Sequence, residues 1–515
     1  MSAKGAIMDG MTTKGQHDQD TAQQNLRARG NNRSQQPSNL EFREFMGSDW
    51  GPRPEPAPRT EVADYLPARH AALSALFPGE RLVIPAGETK VRANDTDYRF
   101  RAHSAFSHMT GLGGEQEPGA VLVFNPREEG GHDVTLYFYP RASRSSEEFY
   151  SDPAHGEFWV GARPSLEEVS RATGLATDSL DNLPDALAKD LGEGQVSLRV
   201  LAEASEQLTA QVNDLRAAAG LSQDAAQDME LAQALSELRL IKDDFEVREM
   251  RKAVAATYSG FDEIIRNLPR AVAHHRGERV VEGAFFARAR EEGNGLGYDT
   301  IAASGNHANT LHWMTNDGEV RDGDLILVDA GVELDSLYTA DITRTLPVNG
   351  TFTENQAEVY NAVLEAAERA LEVAGTPGVK FKDVHAAAME VIAAYLEKWG
   401  MLPGTAAQSL APEGQYHRRW MPHGTSHHLG LDVHDCAAAR RDMYLDAELK
   451  PGMVFTIEPG LYFREDDLKV PERFRGIGVR IEDDILITEN GAERLSEDIP
   501  RTIADIEEWF TRVQR

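Results

Sequence analysis

The chain has 515 residues and a formal net charge of −31, from 53 basic and 84 acidic side chains. At roughly 100–200 residues per domain, this length predicts two or three domains. The acidic balance disfavours partners that present a phosphate backbone or an anionic lipid surface, so we expect neither nucleic acid nor membrane binding. The single cysteine, Cys436, excludes an internal disulfide and fits a reducing compartment, which predicts a cytoplasmic protein.

Residues 1–60 are rich in glutamine, asparagine and arginine and poor in apolar side chains. Pro52, Pro54, Pro56 and Pro58 alternate just before the pattern becomes globular. Such a composition buries too little apolar surface to offset the entropy lost on ordering. We therefore predict a disordered or loosely docked tail over 1–60.

A mixed pattern follows over residues 61–235. Two apolar runs, 119–126 and 133–140, flank a turn-rich segment and predict a pair of strands. The alanine- and leucine-rich run 199–219 predicts a helix. We expect 61–235 to form a smaller N-terminal domain that ends in a linker helix.

Residues 236–515 combine helix starts with strand-like runs. Capping boxes predict the start of two helices, one at Asp243 with Glu246 and one at Thr353 with Gln356. Strand-like runs occur at 325–334, 338–348, 453–460 and 479–488. The first two runs are separated by a short polar turn and predict a hairpin. Helices grouped around hairpins indicate an α+β fold for this larger domain.

Two aspartates interrupt the predicted hairpin. Asp329 follows the apolar run LILV, and Asp341 lies in the second run. Partners on neighbouring strands lie about 5 Å apart, so both carboxylates can converge on one point. Solvent-facing aspartates near a turn are the alternative. A carboxylate after such an apolar run needs a cation or strong donors, which favours a functional pair.

Further candidate metal ligands follow in the last hundred residues. The segment HGTSHHLGLDVHD contains four histidines: His423, His427, His428 and His434. It lacks the glutamate and the helix of a zincin motif, so we interpret it as loop and strand. Glu458 ends the apolar run FTI and Glu482 follows VRI, although each glutamate alone is typical of surface charge.

Together these positions offer two aspartates, two glutamates and at least one histidine. Such a hard, oxygen-rich set suits two divalent ions, Mn²⁺ first, with Co²⁺, Fe²⁺ or Zn²⁺ as the other candidates. Two ions about 3.5–4 Å apart can activate a water and polarise a carbonyl. Spacing alone leaves a metal site and ordinary surface charge equally open.

Six motifs, in order, resemble the pita-bread metallopeptidases, and among them the Xaa-Pro aminopeptidases (aminopeptidase P). The motifs are LHW (311–313), VDAG (328–331), ADITRT (340–345), HGTSHHLGLDVHD (423–435), TIEPG (456–460) and VRIEDD (479–484). The run YRFRAHSAFSHMTGL (98–112) resembles the start of that family's creatinase-like N-terminal domain. The resemblance implies a C-terminal pita-bread domain preceded by a smaller α/β creatinase-like domain.

The resemblance also implies a dinuclear metal centre. Asp341 and Glu482 match the ligands that bridge both ions. Asp329 matches the ligand that completes one ion, and His427 and Glu458 match those that complete the other.

Other active-site roles follow from the same motifs. His434 matches the residue that stabilises the tetrahedral intermediate, and His312 and His423 match the other two active-site histidines. Arg480 matches an arginine that supports the metal ligands and the charge balance.

The activity that the resemblance implies is removal of the N-terminal residue from peptides with proline in the second position, by attack of a metal-bridging hydroxide. Glu458 would accept a proton and deliver it to the departing amine. The proline nitrogen has no N–H, so a pocket fitted to the pyrrolidine ring must replace the usual backbone contact. Relatives form dimers and tetramers, so we also expect a homo-oligomer.

Other activities on the same scaffold stay open. A prolidase, which cleaves Xaa-Pro dipeptides, has the same ligands and differs by a site closed to longer peptides; Ser426 before His427 favours the aminopeptidase. The additional N-terminal domain disfavours a methionine aminopeptidase. A non-catalytic binding protein of this fold would have lost metal ligands, whereas all five are present here.

Overall fold

The structure is a computed structural model that describes residues 39–94, 96–114, 116–191, 196–223 and 225–514. The predicted tail therefore lies outside the described residues up to position 38. From residue 39 the chain forms a short helix and then an irregular segment, in which Arg53 Nη2 lies 2.7 Å from Glu157 Oε2. In these described ranges, every helix is too short or too polar to cross a bilayer.

The helices of the described residues, numbered in chain order, are α1 Leu40–Gly47, α2 Leu66–Leu76, α3 Ser104–Thr110, α4 Glu148–Ser151, α5 Glu157–Val160, α6 Leu166–Thr173, α7 Leu183–Ala188, α8 Glu206–Ala218, α9 Ala225–Leu238, α10 Asp244–Val272, α11 Gly277–Glu292, α12 Glu354–Ala374, α13 Phe381–Lys398, α14 Ala406–Leu410 and α15 Ile503–Val513. The strands are β1 Glu80–Pro85, β2 Val91–Ala93, β3 Thr96–Asp97, β4 Val121–Pro126, β5 His132–Phe138, β6 Ala176–Ser179, β7 Ser197–Val200, β8 Gly295–Leu296, β9 Ile301–Ser304, β10 Leu325–Ala330, β11 Val332–Glu333, β12 Ile342–Pro347, β13 Val454–Ile457, β14 Gly460–Tyr462, β15 Gly478–Arg480, β16 Asp483–Thr488 and β17 Gly491–Arg494.

A five-stranded mixed sheet forms the centre of the N-terminal part, in the order β6-β5-β4-β1-β7. β4 and β5 pair antiparallel, which confirms the two predicted strands, whereas β7 joins β1 and β6 joins β5 in parallel. Because strand side chains alternate between faces, Leu122 packs with Phe106 of α3, while Val123 packs with Leu208 of α8. Helices therefore cover both faces of this sheet.

Two three-stranded sheets, β12-β10-β9 and β13-β16-β17, form the centre of the C-terminal part. They are joined where the Glu482 amide donates to the Thr343 carbonyl oxygen at 3.1 Å. Among the covering helices, α10 packs against α11 and α12 packs against α13. Both predicted capping boxes are present, at Asp243 for α10 and at Thr353 for α12. Helices around antiparallel pairs confirm the predicted α+β class.

Charged side chains connect the two parts of the molecule. Arg69 of α2 donates through Nη2 to Asp243 Oδ2 at 2.8 Å, and the same nitrogen lies 3.9 Å from Glu246 Oε2. Arg101 donates through Nη2 to the Leu431 carbonyl oxygen at 2.5 Å. The N-terminal part therefore contacts the loop that carries the four clustered histidines.

Several predicted elements have other limits in the structure. The strand predicted over 325–334 is two strands, β10 and β11, and that predicted over 453–460 is β13 followed by the start of β14. The run 338–348 forms a strand only over β12. Residues 199–200 belong to β7, and the helix predicted over 199–219 begins only at Glu206, because the Ser205 side chain caps it by accepting from the Leu208 amide. The strand predicted over 479–488 is two strands, β15 and β16, with a break at 481–482. At this break the backbone changes partner, since β15 pairs with β14 whereas β16 pairs with β13.

Candidate metal centre

Two aspartates lie together where β10 and β12 pair. Asp329 is opposite Thr343 in the antiparallel register, and Asp341 directly precedes β12. Both side chains are buried, with residue exposures of 9% for Asp329 and 4% for Asp341. The predicted hairpin pairing is confirmed, and the alternative of solvent-facing aspartates is excluded.

Two glutamates reach the same region from the second sheet. Glu458 directly follows β13 and Glu482 directly precedes β16, and these two strands pair antiparallel. Glu482 is 1% exposed, and its Oε2 accepts from Thr343 Oγ1 at 2.6 Å. This bond holds the Glu482 carboxylate against β12, so it is not the surface charge that its isolated pattern suggests.

His427 comes from an irregular loop that runs alongside β13. Its amide donates to Thr456 Oγ1 at 3.2 Å, and its carbonyl oxygen accepts from the Thr456 amide at 2.9 Å. His427 Nε2 then lies 3.3 Å from Asp341 Oδ2 and 3.7 Å from Glu458 Oε1. The backbone contacts with β13 thus fix the imidazole among the carboxylates.

One cavity of about 490 Å³ collects these side chains. All nine predicted site residues line it: Asp329, Asp341, His427, Glu458, Glu482, His312, His423, His434 and Arg480. Within the described residues, Asp341, His427 and Glu482 form a group whose ligand atoms all lie within 4.8 Å of one another. Asp329 and Glu458 line the cavity beside this group.

Crowding of buried carboxylates dominates the electrostatics of the cavity. Burial raises the pKa of Glu458 to about 8 and the pKa of Glu482 well above its usual range, and the charge of Asp341 adds to both shifts. Burial opposes the charged form of His427, but its interactions with Asp341 outweigh burial and raise its pKa to about 9. Buried anions at these separations need cations, and hard oxygens with one imidazole fit divalent metal ions.

Arg480 supplies a permanent positive charge next to the candidate ligands. It is 3% exposed, and its Nη2 donates to Asp329 Oδ2 at 2.5 Å. Its Nε donates to Thr343 Oγ1 and its Nη1 to Tyr462 Oη, both at 3.2 Å. Neighbouring acidic groups hold the pKa of Arg480 well above its usual value despite its burial.

The other predicted histidines occupy different parts of the cavity wall. His423 Nε2 lies 2.7 Å from Tyr462 Oη, and burial together with the Arg480 charge lowers the pKa of His423 to about 4. The ring of His434 meets that of His427 edge-on, with 4.4 Å between centroids, and burial lowers its pKa. His312 lies on an exposed part of the wall.

One histidine of the motif and the cysteine that follows the motif lie outside the cavity lining. His428 is fully buried and stacks on Phe381 with 4.7 Å between ring centroids. Cys436 is fully buried, and burial raises its pKa to about 12, which keeps the thiol protonated. Neither side chain is therefore arranged as a ligand or a nucleophile.

Sequence reasoning missed two residues of this region. Tyr298 Oη lies 2.7 Å from Asp329 Oδ1 and 2.5 Å from Asp341 Oδ1, although no local pattern marks this tyrosine. Asp484 Oδ2 accepts from the Asp341 amide at 3.2 Å. Asp484 lies within the VRIEDD motif. The signal that could have identified it is an acidic residue near the start of an apolar strand.

Comparison with known proteins identifies the class of molecule. The model for "Metallopeptidase family M24" matches residues 248–489, and that for "Aminopeptidase P, N-terminal domain" matches residues 66–198. The chain belongs to metallopeptidase family M24, with a pita-bread domain after the creatinase-like N-terminal domain. Divalent metal use follows from this membership and from the ligand group in the cavity.

Individual relatives are similar over most of the chain. "Xaa-Pro aminopeptidase 2" of Streptomyces coelicolor is 49% identical over 452 residues, which covers 88% of this chain and 92% of that protein. "Xaa-Pro aminopeptidase 1" of the same organism is 47% identical over 482 residues and covers 92% of each. A solved structure of aminopeptidase P from Escherichia coli superposes with a TM-score of 0.76 at 31% identity, covering 88% of this chain and 99% of that one.

Proposed function

We propose that this protein is an Xaa-Pro aminopeptidase, an exopeptidase that removes the first residue of peptides whose second residue is proline. The observation that carries the proposal is the convergence of Asp341, His427 and Glu482 within 4.8 Å in a buried cavity. The names of the similar proteins and the family membership support it. The chain accordingly takes peptides as its substrates.

The metal centre is proposed to hold two divalent ions, with Mn²⁺ as the first candidate and Co²⁺, Fe²⁺ and Zn²⁺ as the others. Asp329, Asp341, His427, Glu458 and Glu482 would hold these ions. The bound ions supply Lewis acidity that activates the water nucleophile and polarises the substrate carbonyl. The hard donor set of the cavity supports this assignment.

Glu458 is proposed as the group that moves the proton. Its carboxylate lies in the cavity beside His427, where it can accept a proton from the attacking water and later deliver it to the departing amine. His434 is proposed to stabilise the oxyanion that develops on the carbonyl. Arg480 holds the Asp329 carboxylate in place through the bond at 2.5 Å.

The remaining histidines and an apolar wall are proposed to orient the peptide. His312 and His423 line the cavity together with the candidate ligands. Its apolar lining consists of Ile301, Leu311, Met314 and Val433. An apolar surface suits the pyrrolidine ring, whose nitrogen lacks the N–H that other residues offer for a backbone contact.

Domain limits, location and assembly are also proposals. The limits 61–235 and 236–515 agree in order with the two family matches, with 1–60 as a preceding tail. The single cysteine supports a cytoplasmic location. A homo-oligomer, either a dimer or a tetramer, is the expected assembly, and sedimentation velocity tests it.

The experiment measures release of the first residue from matched peptides, with and without Mn²⁺. The peptides are Xaa-Pro, Xaa-Pro-Xaa-Xaa and Xaa-Ala-Xaa-Xaa. Metal-dependent cleavage of the longer proline peptide supports the aminopeptidase, and cleavage confined to the dipeptide would make the protein a prolidase. No cleavage of any peptide after metal reconstitution would support a non-catalytic binding protein instead.

A further inference from the structure

A fully buried carboxylate outside the cavity lining contacts a segment that contributes to this lining. Glu278, in the first turn of α11, has no exposed surface. Its Oε1 accepts from the Ser304 amide at 2.8 Å and lies 2.7 Å from His307 Nδ1. Its Oε2 accepts from Trp313 Nε1 at 2.8 Å and from the Gly318 amide at 2.7 Å.

These four contacts fix the segment 304–318 at several points. The rings of His307 and Trp313 stack at 3.9 Å between centroids, so the two side-chain contacts support each other. A Cβ on Gly318 would lie 2.7 Å from Glu278 Oε2, so this close approach depends on a glycine. One carboxylate therefore holds the whole segment against the start of α11.

A second anchor fixes the same segment from the strand side. Asn316 is fully buried; its Oδ1 accepts from the Ala302 amide at 3.0 Å, and its Nδ2 donates to the Thr300 carbonyl oxygen at 2.8 Å. Its backbone φ of 47° lies in the left-handed region, which is unfavourable for residues other than glycine. The two hydrogen bonds offset this cost. The segment is thus a braced loop.

The braced loop presents residues to the active cavity. Leu311, His312 and Met314 line the cavity, and all three lie between the attachment points at His307 and Gly318. Trp313 lies between His312 and Met314 in sequence, and its indole N–H bonds to Glu278 instead of lining the cavity. The position of His312 is therefore tied to a carboxylate that lines no part of the cavity itself.

We propose that Glu278 is a positioning residue for peptide hydrolysis, which sets His312 and its apolar neighbours against the substrate. This inference rests on the proposed function for its kinetic readout. Glutamate is suited to the task because its two carboxyl oxygens can accept from the Ser304 amide, the Trp313 indole and the Gly318 amide, which can only donate. His307 Nδ1 donates to the same carboxylate in the tautomer that carries its proton there. Glutamine at this position would direct its own N–H groups at two of those donors.

The test compares Glu278→Gln with the wild type and with Glu282→Gln, a control one helical turn later on α11. Unsatisfied donors should displace the braced loop, and kcat/KM on Xaa-Pro-Xaa-Xaa should fall by about tenfold or more, because a misplacement of about 1 Å can cost about 10²-fold in rate. In a His312→Ala background, Glu278→Gln should lower kcat/KM by less than about threefold, because both substitutions act through the position of His312. Glu282→Gln should match the wild type.

Amide hydrogen exchange at Ser304 and Gly318 gives a readout that is independent of activity. Exchange at both amides should accelerate in Glu278→Gln and stay unchanged in Glu282→Gln. Unchanged kcat/KM and exchange in Glu278→Gln, or a full additional loss in the His312→Ala background, would overturn the inference.

A second variant covers the case in which Glu278→Gln does not fold. Trp313→Phe keeps an aromatic ring beside His307 and removes one donor, so a smaller loss in kcat/KM and faster exchange at Gly318 are expected. Wild-type behaviour of Trp313→Phe in both measurements would overturn the inference. A wild-type protein that cleaves no Xaa-Pro peptide would instead contradict the proposed function.

Discussion

Tyr298 Oη lies 2.5 Å from Asp341 Oδ1 and also contacts Asp329 Oδ1, so one hydroxyl joins the two aspartates of the candidate metal centre. A phenol carries one proton and donates to one of these carboxylates at a time. The contact holds together two side chains that would otherwise repel each other. Tyr298, which lines the same cavity, therefore orients both aspartates.

Tyr298→Phe should weaken Mn²⁺ binding by about 10–100-fold, because partners that orient metal ligands contribute affinities of this size. Isothermal titration of the metal-free protein measures the effect. Tyr416→Phe is the matched control, since Tyr416 is exposed and lies outside the cavity lining. Equal Mn²⁺ affinity in both variants would contradict a role for the hydroxyl.

Glu458→Gln should lower kcat on a proline peptide by about 10²–10⁴-fold, because glutamine cannot accept and return the proton. Both ions should remain largely bound, since the amide oxygen can still act as a ligand and four other ligands are unchanged. Metal content by mass spectrometry and kcat are measured on the same sample. Near-normal turnover would refute the proton-transfer role of Glu458.

Arg480→Met should destabilise the metal-free protein by about 3–5 kcal/mol, because it leaves the Asp329 carboxylate buried without its cationic partner. Bound Mn²⁺ should reduce this loss by neutralising the same carboxylate. Urea unfolding with and without Mn²⁺ measures both values. The control Arg321→Met removes an exposed ion pair with Glu319 and should lower the free energy of unfolding much less. Equal losses of stability in the two variants would contradict a role for the burial of the Arg480–Asp329 pair.

Acid should weaken the connection between the two parts of the molecule. Burial raises the pKa of Glu246, but His108 and Arg69 of the N-terminal part outweigh it and lower the pKa to about 2. A carboxyl group whose pKa is lower in the folded than in the unfolded state stabilises the folded state at pH values above the unfolded pKa of about 4. This stabilisation is lost as the pH falls toward the folded pKa of about 2.

The free energy of unfolding measured against pH checks this expectation. It should decrease between about pH 4.5 and 2 in the wild type, with a shallower slope in Glu246→Gln. Equal slopes for wild type and variant would show that Glu246 does not contribute.

The parts of the site that sequence alone could predict are those in which a charged residue breaks an apolar strand. Asp329 after LILV is conspicuous because a buried strand otherwise excludes carboxylates, whereas Glu482 after VRI is typical of surface charge when taken alone. The pairing of β10 with β12, which brings Asp329 and Asp341 together, also follows from the hairpin pattern.

Tyr298 and Glu278 could not be predicted in this way. A tyrosine in a short connection and a glutamate in the first turn of a helix are ordinary in their local context. Glu278 contacts His307, which lies 29 residues further along the chain, and Tyr298 contacts Asp341, which lies 43 residues further along. The break at 481–482 escaped prediction for a similar reason, because it reflects a change of partner strand that local periodicity does not record.

The five proposed ligands come from separate elements that span positions 329 to 482, on two sheets and the loop between them. Bringing such distant segments together requires the chain to close long intervening loops. A chain in which either sheet has not formed lacks some of the five side chains. The hydrolytic centre is therefore a property of the complete C-terminal part, and no shorter segment of the chain carries it.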